Sequence, residues 1–327
     1  MKIDVHTHFY PKVYLDELRK ESRVATITTD DKGRTLLKYQ ADYNVVDPSH
    51  VDPELHIKLM EEAAIDMQVI SLTTPGIHLE ERERAIEIAR SVNDAMSELA
   101  AKYPTKFRAM ATLPMQDPKA AVEELDRAVR HLGLVGTQVF TSVGENRTLD
   151  SREYWPLYEL AQELDVPISI HPTCSPDIEG MQGYRVVPLV GFCMNTTLVA
   201  TRLVFAGVME QFPRLKIILS HLGGAVPYLA ERIERGWLAY PECKVNISKS
   251  PIEYLKMFYM DSINFDPDAL MFGLKFAGPD KVLLGSDHPH LIGSLKRCVP
   301  AITGLPISEE AKQKILGGNA KALFKIS

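Results

Sequence analysis

Near the N-terminus, Ile3-Asp4-Val5-His6-Thr7-His8 sets two histidines two positions apart in a β-branched run. Side chains on a strand alternate with a period of two, so His6 and His8 share a face, roughly 6–7 Å apart along the chain, and can grip one metal ion together. Three later apolar runs end on groups able to join them: Ile168-Ser169-Ile170-His171, Ile217-Ile218-Leu219-Ser220-His221 and Leu283-Leu284-Gly285-Ser286-Asp287. Imidazole nitrogens with one carboxylate oxygen suit a borderline divalent ion, zinc first, and also accommodate manganese or iron. A lone pair of histidines at this spacing also arises from ordinary packing. Four strand-end coincidences point to a shared site.

The elements that must bring these residues together can be read from the alternation of segments. Eight β-branched runs are expected as strands: Ile3–His8, Met67–Leu72, Phe107–Leu113, Leu134–Phe140, Val166–His171, Leu215–His221, Lys256–Asp261 and Lys281–Asp287. Between them lie stretches of helical spacing at Glu54–Ile65, Glu81–Lys102, Pro118–Leu132, Tyr154–Leu164, Thr197–Gln211 and Ala225–Arg235. Strands alternating with helices imply a parallel sheet, and eight such units with polar strand ends favour an α/β fold of the (β/α)8 barrel type. In such a barrel the strand C-termini converge on one mouth. The other candidate is an open doubly wound sheet, but no Gly-rich dinucleotide fingerprint or P-loop follows any strand. Residues 1–327 are expected to form one domain, with 14–51 as a small insertion after the first strand. Within it, two strand-like runs flank Asp31-Lys32-Gly33 as a hairpin.

Composition narrows the partners. The 327 residues carry 37 Lys+Arg against 43 Asp+Glu, a formal charge of −6, with no basic stripe of the kind that tracks phosphates. Nucleic acid is therefore not expected, and a small molecule is. No uninterrupted 18-residue apolar run and no secretory signal are seen, so no membrane association is expected. The four cysteines, Cys174, Cys193, Cys243 and Cys298, form no CxxC pair, which fits buried thiols in a reducing cytoplasm.

The ordered set HTHFYP (His6–Pro11), SIHPT (Ser169–Thr173), LSHLGG (Leu219–Gly224), LLGSDHP (Leu283–Pro289) and GGNAKALF (Gly317–Phe324) resembles the amidohydrolase superfamily. Within it, the chain is similar to the metal-dependent decarboxylases typified by aminocarboxymuconate-semialdehyde and γ-resorcylate decarboxylases. That resemblance implies one divalent ion held by His6, His8, His171 and Asp287. It also implies that His221 serves in proton transfer and is not a ligand. Binuclear relatives place a carboxylated lysine or a glutamate at the end of the fourth strand, where this chain has Gln138, so a second ion is not expected. Arg232, eleven residues past His221, matches an arginine that holds a substrate carboxylate in a neighbouring subunit's site, which implies a homodimer or higher oligomer. A guanidinium fork suits that task, although Arg232 also lies in a charged helical stretch. His288 stands where relatives usually carry an aromatic or other pocket-lining side chain, and is expected as a hydrogen-bonded residue of the mouth or an extra proton donor. Phe9, Phe192, Met194 and Trp155 offer an apolar wall for an unsaturated ring.

Three functions share these residues. The first is a carboxy-lyase that removes CO2 from an unsaturated or aromatic carboxylic acid, with His221 and Asp287 in the catalytic set. The second is hydrolysis of a lactone or amide at the same centre. The third is a metal-stabilised binding protein, disfavoured because the expected ligand set leaves room for a water. The ligand residues alone do not separate the first two, whereas the motif contexts favour the first.

Overall fold

Three helices start on the same dipeptide, Asp-Pro. Asp52, Asp117 and Asp266 each accept two backbone N–H bonds from the first turn, and Pro53, Pro118 and Pro267 follow where a missing N–H costs nothing. The computed structural model describes residues 1–326 apart from 23, 41, 145–146, 175–178 and 182. In it the strands are Ile3–His8, Met67–Ser71, Phe107–Ala109 continued as Ala111–Thr112, Thr137–Phe140, Ile168–His171, Ile217–Leu219, Tyr259–Asp261 and Val282–Leu283. Each pairs in parallel with the next in sequence, and the third strand passes from one neighbour to the other at Met110.

The two ends of this series meet. Val5 N donates to Leu284 O (2.9 Å), Asp287 N to His6 O (2.9 Å) and His8 N to His288 O (2.8 Å), and a parallel bridge joins Thr7 to His288. The eight strands thus close on one another in the barrel order, with the first and eighth linked by irregular rather than ladder bonds. Along the first strand Asp4, His6 and His8 reach side chains of other strands, while Ile3 and Val5 pack with Met67, Val69, Met110, Ile218 and Leu283 against the C-terminal helix Asn319–Phe324.

After the first strand comes the helix Lys12–Glu21 and then an antiparallel sheet, Ala25–Thr29, Thr35–Tyr39 and Asp42–Val45. The hairpin expected around Gly33 is present, with Ile27 opposite Leu37 and Gly33 in the left-handed region at φ +75°. A short third strand extends it and ties it to the barrel: Asn44 Nδ2 donates to Thr74 O (2.7 Å) and to Tyr10 OH (2.9 Å).

Four strands begin two or three residues later than the sequence expectation, at Thr137, Ile168, Ile217 and Tyr259, and two stop well before their expected C-termini. The sixth stops at Leu219 because His221, Leu222, Gly223 and Gly224 all take positive φ (56°, 56°, 73° and 61°). The glycines are required, since a Cβ on Gly224 would collide with Cys193 O. The eighth leaves its ladder after Leu283, and Asp287 itself turns at φ 60°. Helix Val187–Phe205, with a mean hydropathy of 1.4 over its apolar window, is long and apolar enough to cross a membrane by length and composition, although Asn195, Thr196, Thr197 and Arg202 interrupt its apolar run. Phe192, Val199, Ala200, Leu203 and Val204 are nevertheless buried against the barrel, which accounts for its apolar character by packing.

Candidate metal centre and active site

The strand ends bring the sequence candidates together. His6 Nε2 lies 3.1 Å from His8 Nε2 and 3.5 Å from Asp287 Oδ1, and His8 Nε2 lies 3.3 Å from the same oxygen. The ring centroids of His6 and His171 are 5.1 Å apart, and those of His8 and His171 are 4.9 Å apart. Donor atoms of His6, His171, His221 and Asp287 fall within 4.8 Å of one another, as do those of His8, Asp287 and His290.

The second nitrogens fix which way each ring points. His6 Nδ1 bonds Asp261 Oδ2 at 2.6 Å and His171 Nδ1 bonds Pro172 O at 2.8 Å. Because a carboxylate or carbonyl oxygen only accepts, both Nδ1 atoms carry the proton and both Nε2 atoms present lone pairs. For His8, Nδ1 faces Ser71 Oγ at 3.2 Å, and that hydroxyl donates to Gln138 Oε1 at 2.8 Å, so His8 Nε2 is also left as an acceptor. Three lone pairs and a carboxylate therefore face one another, and His171 Nε2 and Asp287 Oδ1 are buried without a hydrogen-bond partner. Facing acceptors with no donor between them fit a divalent cation, and each histidine is held from behind as ligating imidazoles are.

Electrostatics agrees at His8, His171 and Asp287, whereas the acidic neighbours of His6 favour its charged form. Burial alone would depress His6, but the charges and bond of Asp261, helped by Asp287 and Asp4, outweigh it and raise its pKa. Burial pushes His8 down to about 3 and holds His171 well below the usual imidazole range, so both are neutral donors at neutral pH. Burial would raise Asp287, but the imidazoles of His221 and His8 facing it outweigh that and hold it well below the carboxylate range.

Asp261, at the end of the seventh strand, was missed in the sequence, although a carboxylate ending an apolar run is the same signal that flagged Asp287. It serves two elements: Oδ2 accepts from both His6 Nδ1 and His221 N (3.0 Å), and Oδ1 accepts from Leu222 N (3.2 Å) and Ile263 N (3.0 Å). Asp261→Asn keeps the size but replaces the acceptor charge facing His6. We expect metal affinity to fall by about 10- to 100-fold, the usual cost of losing an outer partner of a ligating histidine. Competition with a chelator would measure it, and an unchanged affinity would remove Asp261 from the centre's support.

Above the centre opens a cavity of about 520 Å³, with His171, His221, Asp287 and His290 among its lining. Its apolar wall comprises Phe192, Ile263, Phe265, Leu291 and Ile292. Of the expected wall residues only Phe192 contributes. Phe9, one residue past the end of the first strand, packs on His56 (centroids 6.1 Å) and does not line the cavity. Met194 is exposed, and Trp155 meets Phe212 edge-to-face elsewhere. His288 likewise does not line the cavity. Its ring packs on His56 at 4.7 Å, and it is His290 that faces the centre, 5.0 Å from the His8 ring and bonded through Nε2 to Thr73 Oγ1 at 2.9 Å. Arg232 is exposed on the helix Val226–Ala239 and lies outside this cavity. Asp42 and Arg185, neither singled out in the sequence, do line it.

With that geometry in hand, known proteins offer a comparison. A family model described as amidohydrolase matches residues 3–326. The chain is 31% identical over 326 residues to the 2-amino-3-carboxymuconate-6-semialdehyde decarboxylase of Dictyostelium discoideum, covering 98% of this chain and 90% of that protein. It is 34% identical over 285 residues to the gamma-resorcylate decarboxylase of Polaromonas sp. strain JS666, covering 83% and 86%. Among solved structures, a dihydroxybenzoic acid decarboxylase from Polaromonas sp. JS666, with manganese and the inhibitor 2-nitroresorcinol bound, superposes with a TM-score of 0.83 at 31% identity, covering 99% and 97%.

Proposed function

This chain belongs to the amidohydrolase family, and from that premise we propose that it is a metal-dependent carboxy-lyase releasing CO2 from an aromatic or unsaturated carboxylic acid. The observation that carries the reading is the convergence of three outward-held imidazole lone pairs and Asp287 beneath a cavity with one apolar wall. His6, His8, His171 and Asp287 would hold one divalent ion. We take it to be zinc, because three of the four donors are nitrogen, with manganese the alternative that the Polaromonas enzyme contains.

The ion would act as Lewis acid and template for the acid's oxygens. The chain's own groups account for the rest. Phe192, Phe265 and Ile263 flank a planar ring and exclude water from it. The carbon bearing the carboxylate must gain one proton before the C–C bond breaks. When that bond breaks, its electron pair returns to the ring as CO2 departs. His221 is the donor suited to this. It lines the cavity, its Nε2 is 3.8 Å from Asp287 Oδ2, and its Nδ1 is buried with no partner. Unlike that of His6 and His171, its Nδ1 bonds no acceptor, so the ring is not fixed as a ligand and is placed to hand a proton to the substrate carbon.

The oligomer belongs to the same proposal. Arg232 is exposed, no described residue bonds it, and it projects from the helix that begins shortly after His221, which suits a role in the cavity of a second copy. Light scattering tests for the dimer. Activity is tested on metal-loaded protein with a panel of aromatic acids, lactones and amides, trapping CO2 and analysing products. Release of CO2 with one ion per chain is expected. Ring-opened or cleaved product without CO2 would make the chain a hydrolase instead.

A further inference from the structure

Arg185 is the one arginine or lysine among the described residues lining the cavity. It is held from three sides. Nη1 lies 2.7 Å from Asp42 Oδ1 and donates to Tyr43 O at 2.8 Å, and the guanidinium stacks over the Tyr43 ring at 4.0 Å. Both anchors come from the third strand of the inserted sheet. Its backbone is strained as well: Tyr184 and Arg185 take φ of 48° and 60°, two consecutive residues with side chains in the left-handed region. Such strain persists where the surroundings over-determine it, often at sites that grip ligands.

Only one edge of the fork is used by these contacts. Nε and Nη2 bond no described residue, and the side chain is 40% exposed. A planar guanidinium offers two parallel N–H bonds along each such edge, and the matching ligand is a planar carboxylate. Asp42 and Tyr43 supply the fixed geometry that an unrestrained arginine would lose entropy to reach.

We propose that Arg185 is a specificity-determining residue of this chain's own cavity, selecting acids that bear a second carboxylate in addition to the one that is lost. This rests on the carboxy-lyase reading and deepens it. The centre handles the reacting carboxylate, and Arg185 binds the spectator one at the wall built by the insertion. The recognition is supplied within one chain, whereas Arg232 would act between two.

The test uses metal-loaded full-length protein, as wild type, Arg185→Met and Arg185→Lys, titrated calorimetrically with benzene-1,3-dicarboxylate and with benzoate. Losing a charge-assisted pair should weaken the dicarboxylate about 10- to 100-fold in Arg185→Met while benzoate changes less than about twofold. Lysine, keeping the charge but not the fork, should fall between. Equal weakening of both ligands would make Arg185 merely structural, and no weakening of either would remove it from the cavity's recognition; both overturn the proposal. CO2 release from mono- and diacids of one ring, run in parallel, separates the two readings. Wild type that selects the dicarboxylate through Arg185 but releases no CO2 overturns the lyase reading alone. Wild type that releases CO2 while Arg185→Met keeps the wild-type preference between mono- and diacids overturns the Arg185 assignment alone.

Discussion

Alanine at His171 is expected to give a folded chain that holds no metal and releases no CO2. His171 Nδ1 is committed to Pro172 O, so its sole contribution to the centre is the buried Nε2 lone pair that has no partner in the protein. Removing it leaves two imidazoles and a carboxylate, and the affinity loss should exceed the roughly 10- to 100-fold expected for Asp261→Asn, which only reorients a ligand. His6→Ala, His8→Ala and Asp287→Ala should behave alike, since metal binding and ligand geometry are coupled. For Asp287 the loss should be compounded: its carboxylate is the anion shared by His6 Nε2 at 3.5 Å, His8 Nε2 at 3.3 Å and His221 Nε2 at 3.8 Å. Elemental analysis beside circular dichroism distinguishes an empty site from an unfolded one. One ion per chain with turnover intact in His171→Ala would remove it from the ligand set.

The candidates His6, His8, His171, His221 and Asp287 were legible because each ends an apolar run and a barrel has one mouth. Choosing four of them as ligands and setting His221 apart rested on the resemblance to the decarboxylases, not on spacing. The boundaries were less legible where glycine and strain act. Nothing in the periodicity of Ile217-Ile218-Leu219 announces that the next residues leave the strand, yet the left-handed run from His221 to Gly224 is what presents His221 to the cavity. The motif around Gly317 became intelligible only in three dimensions. Asn319 Nδ2 donates to Pro279 O (2.7 Å) and Val282 O (2.8 Å), pinning the start of the segment that ends on Asp287.

The pocket walls were the least legible part. Phe9 and His288 have suitable side chains and adjoin ligands in sequence, but both lie beyond the ends of their strands, where alternation no longer fixes a face, and both pack against His56. His290, one step further round the turn from Asp287, reaches the centre instead. Arg185 follows no strand, and its Tyr43 anchor lies 142 residues earlier in the chain, beside Asp42 in a four-residue strand too short to carry a periodic signal. A loop cation becomes a candidate only when a partner holds it in place, and sequence spacing does not supply that partner.

His221 is the position where ligand and proton carrier part company. By proximity alone it belongs with the ligands, since its ring nitrogen lies among those of His6, His171 and Asp287 within 4.8 Å. Its other nitrogen argues otherwise: Nδ1 has no partner, while His6, His8 and His171 are each steadied by Asp261, Ser71 or Pro172. A ligating histidine nearly always donates its second N–H, because that bond fixes the tautomer and raises basicity. His221 is positioned through its backbone instead, with N bonded to Asp261 Oδ2 at 3.0 Å. Replacing it with asparagine should therefore leave one ion per chain while turnover falls by about 10² to 10⁴, the range for a missing general acid or base. Binding of a non-reacting aromatic acid should persist in the variant. Loss of the ion in His221→Asn would make it a ligand, and near-full turnover would leave the proton to come from elsewhere in the cavity, with His290 the next group in reach of the centre.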